Sequence, residues 1–313
     1  EFVPAQDNYL ELSTGLEIKT LIETAREVLD EKKKLDVNLN VDTKEAVANI
    51  IRVGTSAGGQ RAKAVIAYNE TTGDIRSGQI EAPDGFSHWL IKLDGVTNNE
   101  LGDPKHYGRI EYVYYLMARD AGIDMSECRL IEENGRAHFM TKRFDRVNGN
   151  EKLHMQTLCG MAHYDYKMSH AYSYEQVFQV MRRLRLSYSD AEQMFRRMVF
   201  NVVARNQDDH TKNISFLMDR QGKWSLSPAY DVSWAYNPKG IWTSNHQMSI
   251  NNKSDEITRD DLLSVARNVN IKHADQIIDQ VIESVSHWPD LAKEYGIPDD
   301  IEKAINSTLL LDM

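Results

Sequence analysis

The chain has few means of covalent or membrane anchoring. Only two cysteines, Cys128 and Cys159, occur in 313 residues. That number cannot build a disulfide framework, so a reducing cytoplasm is the expected compartment. No apolar run approaches the roughly 18 residues needed to cross a bilayer. The start shows no charged-then-apolar leader, so no membrane association is expected. Excess positive charge is also missing. A net charge of −10 argues against a broad basic face for nucleic acid. Two local basic clusters, Arg182-Arg183-Leu184-Arg185 and Arg196-Arg197, are candidates for a local basic patch, with a solvated helix face the favoured reading of both. His210 has no second histidine at zinc-ligand spacing, which argues against a zinc site. Internal repeats and low-complexity segments are absent too.

What is present is ordinary for a water-soluble globular protein, with 41% hydrophobic and 27% charged residues. The length suffices for one large domain or two lobes with separate cores. A first helix is predicted from Thr14 to about Lys34, capped by Ser13 or Thr14 with Glu17 in capping-box position. Residues 50–145 then read as strands with one helix among them. The strands are Ala64–Tyr68, His88–Leu93, and a hairpin of Cys128–Glu132 with Arg136–Lys142 around Asn134-Gly135. The helix begins near Tyr107 and stops at Gly122. After the polar joint Arg146–Asn150 the character turns helical. Tyr174–Leu186 and Ser189–Arg205 carry helical periodicity, with Ser189 or Asp190 as the cap of the second. A hairpin of Ile214–Met218 and Lys223–Leu226 follows, and the tail from Thr258 is mostly helix. The fold class expected is α+β, two-lobed, with residues 1–147 as a β-rich lobe and 148–313 as a mainly helical one.

Five features carry chemistry. Gly54, Gly58 and Gly59 lie in a loop where bare backbone amides can approach phosphate oxygens, although such a cluster also suits a plain turn. Lys92 near a strand end can neutralise phosphates if an acid holds it, and Glu111 on the next helix can be that acid. Asp208 and Asn213 are separated by Asp209 to Lys212, the spacing of a kinase catalytic-loop aspartate and asparagine. Phosphoryl transfer needs a carboxylate for the acceptor hydroxyl and oxygen ligands for magnesium. Asp231, after a short hairpin, stands where a kinase fold has its second metal ligand. Here Asp-Val-Ser replaces Asp-Phe-Gly. Singly, each feature is also a solvated charge, a polar turn or a helix cap; their order along the chain is what points to a kinase.

These residues resemble the HipA family, the toxin kinases of bacterial type II toxin–antitoxin modules. The matching stretches are Gly54–Gly59, Ile91-Lys92-Leu93, Lys142-Arg143-Phe144-Asp145-Arg146, Asp208-x-His210-x-Lys212-Asn213 and Pro228–Asp231. The resemblance implies an ATP- and Mg²⁺-dependent serine/threonine protein kinase. In it Asp208 is the catalytic base, and Asn213 and Asp231 hold magnesium. Lys92 contacts the phosphates, with Lys63 retained beside them. Thr55, Ser56, Ala57, Gly58 and Gly59 form the phosphate loop. Lys142, Arg143 and Phe144 form the hinge beside adenine, and His210 sits close to the nucleotide. The resemblance also implies autophosphorylation of Ser56, which switches the kinase off by ejecting its loop. Asp209 falls at a position the family leaves free and reads as a bystander.

The same resemblance suggests a protein substrate among translation components, such as an aminoacyl-tRNA synthetase, and a helix-turn-helix antitoxin of HipB type. DNA would be contacted only indirectly, through that antitoxin, because this chain is acidic. Relatives carry a further small N-terminal subdomain, expected here either to be cut away or to be a separate small protein. Two other classes compete with the kinase toxin. One is a co-repressor acting chiefly by binding, and the other is a small-molecule phosphotransferase. The Arg-Phe-Asp-Arg stretch argues against the latter by resemblance.

Overall fold

A computed structural model describes residues 17–29, 62–78, 81–95, 106–133 and 135–313. It divides into two compact units. The first comprises the described residues up to Tyr112 together with Glu127–Lys152, and the second comprises Val113–Ser126 with Leu153–Met313. The division falls inside one helix, Tyr107–Asp120.

The first unit is built on a five-stranded antiparallel sheet. Its strands are β1 (Lys63–Asn69), β2 (Ile75–Ser77), β3 (Phe86–Lys92), β4 (Cys128–Glu133) and β5 (Arg136–Lys142), in the order β2-β1-β3-β5-β4. Side chains alternate between sheet faces along each strand. Ala64, Ile66, Trp89, Ile91 and Met140 therefore share one face, packed with Leu21 and Ile22 of helix α1 (Ile18–Leu29). Lys63 and Lys92 are paired across β1 and β3, so they lie together on the opposite face. The hairpin between β4 and β5 turns at Gly135 with φ +76°, a left-handed value that glycine adopts without penalty.

Helix α2 (Tyr107–Asp120) begins by packing unusually close to β5. A Cβ placed on Gly108 would lie 2.0 Å from the Ala137 carbonyl oxygen, so only glycine fits there. One turn later the helix carries Glu111. The Arg146–Asn150 joint forms a tight hairpin between β6 (Arg146–Val147) and β7 (Glu151–Lys152).

The second unit is mainly helical. A three-stranded antiparallel sheet of β8 (His154–Thr157), β10 (Ser215–Met218) and β11 (Trp224–Leu226) has the order β11-β10-β8. A two-stranded parallel pair joins β9 (Tyr172–Ser173) to β12 (Met248–Ser249). The helices are α3 (Leu158–Ala162), α4 (Tyr174–Arg183), α5 (Tyr188–Val203), α6 (Arg259–Val269), α7 (Ala274–Ser286), α8 (Trp288–Glu294) and α9 (Asp299–Asn306).

Helix α5 is the axis of this unit, with Met194 to Phe200 buried without a break and Val202 and Val203 buried beyond them. Two expectations fail on this helix. Its N-cap is Ser187, not Ser189 or Asp190. Ser187 accepts from the Asp190 amide while the Asp190 carboxylate accepts from the Ser187 amide, a capping box that uses aspartate. Arg196 and Arg197 are not solvated. Arg196 donates to Ala121 O and Gln280 Oε1, each at 2.8 Å, and Arg197 donates to Ser227 O at 2.7 Å. A helix packed on every side leaves its arginines nowhere else to point, and backbone carbonyls replace water as their partners. Arg182, Arg183 and Arg185 are exposed, as expected. Among the described residues no helix is long and apolar enough to cross a membrane.

Candidate active site

In the first unit the alternation of β3 and the start of α2 bring Lys92 and Glu111 together. The Lys92 Nζ donates to Glu111 Oε1, and both groups are almost wholly buried. The Lys92 ammonium also lies 5.6 Å from the Phe139 ring centroid. Lys63, directly opposite Lys92, is likewise buried. Lys63 and Lys92 thus share one sheet face, with Glu111 of α2 against Lys92. Removing ammonium groups from water is costly, so placing two of them here suits an anionic ligand.

The Arg-Phe-Asp-Arg stretch is an ion-pair knot. Asp145 accepts two bonds from Arg143, Nε to Oδ1 at 2.8 Å and Nη2 to Oδ2 at 2.7 Å, and a third from Arg146 at 2.7 Å. Burial raises the Asp145 pKa, but the two arginines outweigh it and hold the carboxyl below its ordinary range. The knot fixes the chain just after β5. Lys142 is engaged elsewhere, with its Nζ 2.9 Å from Glu70 Oε1 and 5.4 Å from the Trp89 ring. The Lys142 bond also lowers the Glu70 pKa. The backbone amides of Lys142 and Arg143 donate to Glu127 O and His88 O.

In the second unit the catalytic-loop candidates follow α5 directly. Arg205, at φ +55°, ends the helix in a left-handed turn, and Ala235 N donates to its carbonyl. Two tight turns then fold residues 208–213, through His210 N to Asp208 O and Asn213 N to His210 O, both at 2.9 Å. Asn213 Nδ2 donates to the Asp208 carbonyl at 2.8 Å, which commits the amide nitrogen and leaves the oxygen for a cation. Asp208 keeps a half-exposed side chain, with Oδ1 3.9 Å from His210 Nε2. His210 stacks edge-on to Tyr166, and Lys212 Nζ sits 3.8 Å from the same ring. Among the described residues the buried His210 Nδ1 has no hydrogen-bond partner.

Asp231 follows β11 and takes a left-handed φ of +56°, a conformation aspartate tolerates better than most residues. Its neighbour Tyr230 donates to Lys212 O at 2.6 Å and bonds Ser215 Oγ, tying the Asp231 turn to the 208–213 loop. Asn213 and Asp231 line one pocket with Asn206, Asp209 and Tyr230. Among the described residues no three His, Cys, Asp or Glu side chains cluster as a metal cage. One carboxylate and one amide oxygen suit magnesium, which keeps several waters and shares oxygens with phosphates.

Asp209, read from the sequence as a bystander to the chemistry, has structural partners that the sequence does not reveal. It is buried and accepts from Tyr174 Oη at 2.7 Å, His246 Nδ1 at 2.9 Å and the Gln247 amide at 2.8 Å. No local signal announces its burial, since its partners lie far away in the chain. The phosphate-loop candidates Thr55, Ser56, Ala57, Gly58 and Gly59 lie outside the described residues.

With this geometry in place, the comparisons with known proteins agree with one another. The profile of the HipA-like C-terminal domain matches residues 55–288. The chain therefore belongs to the HipA-like C-terminal domain family. Two proteins of Sinorhizobium fredii, named "Putative kinase Y4mE" and "Putative kinase Y4dM", are 26% and 25% identical over 46% and 64% of this chain. The matches span a third to a half of those relatives, 33% and 50%. Among solved structures, the chain resembles HipA in the Shewanella oneidensis MR-1 toxin–antitoxin complex of HipA, HipB and operator DNA. The TM-score is 0.65 at 15% identity, covering 96% of this chain and 71% of that one. That likeness shows the fold, so the expected kinase-like α+β class holds.

Proposed function

We propose that this HipA-family chain is an ATP- and Mg²⁺-dependent serine/threonine protein kinase and the toxin of a toxin–antitoxin pair. The observation that carries the reading is the buried Lys92–Glu111 pair. A structural ion pair can be replaced by apolar residues without loss, whereas a phosphate-binding lysine needs an acid to hold its ammonium in place.

Each residue then has a task. Lys92, with Lys63 beside it, neutralises phosphate oxygens. The amides of Thr55 to Gly59 cradle the phosphates. Residues Lys142 to Phe144 flank adenine, and His210 lies near the nucleotide. Asp208 accepts a hydrogen bond from the hydroxyl of the acceptor serine or threonine, orients it, and takes its proton as the phosphoryl group transfers. Asn213 and Asp231 are the residues that would hold magnesium, which spreads the charge of the phosphates when bound. Ser56 is the proposed site of self-modification. A phosphate there adds close to two negative charges and would expel the loop from an anion site.

The substrate is proposed to be a protein of the translation machinery, such as an aminoacyl-tRNA synthetase, and the cytoplasm the place of action. A HipB-like helix-turn-helix antitoxin is the proposed partner. The net charge of −10 favours DNA contact through that partner.

The test is phosphate transfer from labelled ATP with magnesium, to the chain itself and to candidate synthetases. Wild type is expected to transfer, and Asp208→Ala and Asp231→Ala are expected to lose at least about a thousandfold in rate. Equal labelling by all three proteins would overturn the reading. Loss of self-labelling in Ser56→Ala, with Thr55 intact, would locate the modified residue.

A further inference from the structure

Asp209 is a buried carboxylate with three donors aimed at it from two separate segments. Tyr174 begins α4, while His246 and Gln247 lie just before β12. The Tyr174 hydroxyl is itself held by Asn201 of α5, whose Nδ2 donates to it at 2.9 Å. Burial, and then the charge of Asp209, push the Tyr174 pKa well up, so the hydroxyl stays a donor.

The arrangement has a chemical requirement. Tyr174 and His246 both point at Oδ2, and the Gln247 amide points at Oδ1. A carboxylate accepts at both oxygens, whereas an asparagine presents an NH₂ to one of these donors. No neutral isostere satisfies all three. Buried polar groups left unpaired cost free energy, so this site is specified for aspartate.

The anchor also has a geometric consequence. Asp208 and Asp209 are consecutive, so pinning one fixes the backbone that carries the other. At the far end of the turn Asn213 closes onto the Asp208 carbonyl. In the middle, Thr211 Oγ1 donates to Tyr164 O at 2.8 Å.

We infer that Asp209 is a positioning residue: its carboxylate gathers Tyr174, His246 and the Gln247 amide, and so sets the direction in which Asp208 presents its carboxylate. The consequence for rate rests on the kinase reading, while the anchoring of the loop does not. In the proposed reaction Asp209 touches neither acceptor nor nucleotide and acts through the backbone of Asp208. A placement error of an ångström at a reacting group costs about a hundredfold in rate.

The experiment compares wild type, Asp209→Asn and Tyr174→Phe by amide hydrogen exchange and by transfer kinetics. In Asp209→Asn, segments 207–213 and 244–249 are expected to exchange at least about tenfold faster, while α5 keeps its protection. Its turnover is expected to fall about a hundredfold with KM for ATP within about threefold of wild type, since placement rather than nucleotide binding is lost. Tyr174→Phe removes one donor only, so it should lie between, and it carries the comparison if the asparagine variant does not fold. Wild-type exchange in both segments, or wild-type turnover, would overturn the inference. So would faster exchange spread evenly through α5, which marks a scaffold role. If the wild-type protein transfers no phosphate at all, the kinase reading fails, and the exchange comparison still decides the anchor.

Discussion

Lys92 and Glu111 form a charge pair cut off from water, and such pairs respond asymmetrically to mutation. Removing one partner leaves a buried charge uncompensated and costs about 3–5 kcal/mol, whereas replacing both by apolar side chains is often neutral. Glu111→Gln is therefore expected to lower the unfolding free energy by that amount in a urea titration. Lys92→Met with Glu111→Leu is expected to restore most of it and yet to transfer no phosphate. A double variant that regained both stability and activity would remove Lys92 from the proposed chemistry. Asp208 presents the opposite case. Its side chain is half-exposed, so Asp208→Ala should change stability by only about 0.5 kcal/mol while abolishing transfer. The spacing to Asn213 singles out Asp208 in the raw sequence. The burial of Asp209 is not legible there, because Tyr174, His246 and Gln247 are distant along the chain.

Helix α2 owes its approach to β5 to a missing side chain. Gly108→Ala would drive a methyl group against the Ala137 carbonyl, and such overpacking typically costs about 1–3 kcal/mol. It should also displace Glu111 from Lys92, so transfer is expected to fall together with the midpoint of denaturation. An unchanged midpoint would show that the helix can shift freely. The strand β5 itself carries a pH-sensitive group, His138, wholly buried, with Nδ1 accepting from the Asp94 amide at 2.9 Å. Burial, and to a lesser degree Arg136, lower its pKa from 6.5 to about 4. Between those values the unfolded chain binds a proton that the folded chain does not. Its contribution is thus complete above pH 6.5 and is lost as pH falls to about 4. His138→Asn is expected to flatten the acid side of the stability profile by up to one proton, and an unaltered slope would exclude His138 as its source. Strands β1, β3, β4 and β5 and the hairpin at Gly135 are legible because alternation and turn residues are local signals, whereas β2 and the β6–β7 hairpin are too short to carry a pattern. The Gly108 contact, the aspartate-based cap of α5 and the burial of Arg196 and Arg197 are tertiary facts. Each depends on what another segment places alongside.

At the scale of the whole molecule, the residues proposed to hold ATP and magnesium come from segments far apart in sequence, with Lys63 and Lys92 more than a hundred residues ahead of Asn213 and Asp231. A ligand that binds only the folded chain stabilises it by RT ln(1 + [L]/Kd), about 2.7 kcal/mol at a hundredfold excess over Kd. For a chain of this size that amounts to several degrees in Tm, at about 2–4 °C per kcal/mol. ATP with magnesium should therefore raise the melting temperature, and a chelator should remove most of the increase. The variants divide by role. Lys92→Met and Asp231→Ala, which strip a phosphate contact and a metal ligand, should lose the shift. Asp208→Ala should keep it, since the proposed base meets the acceptor hydroxyl and not the nucleotide. A shift of wild-type size in Asp231→Ala would separate Asp231 from the metal, and its loss in Asp208→Ala would mean that the roles of the two aspartates have been exchanged.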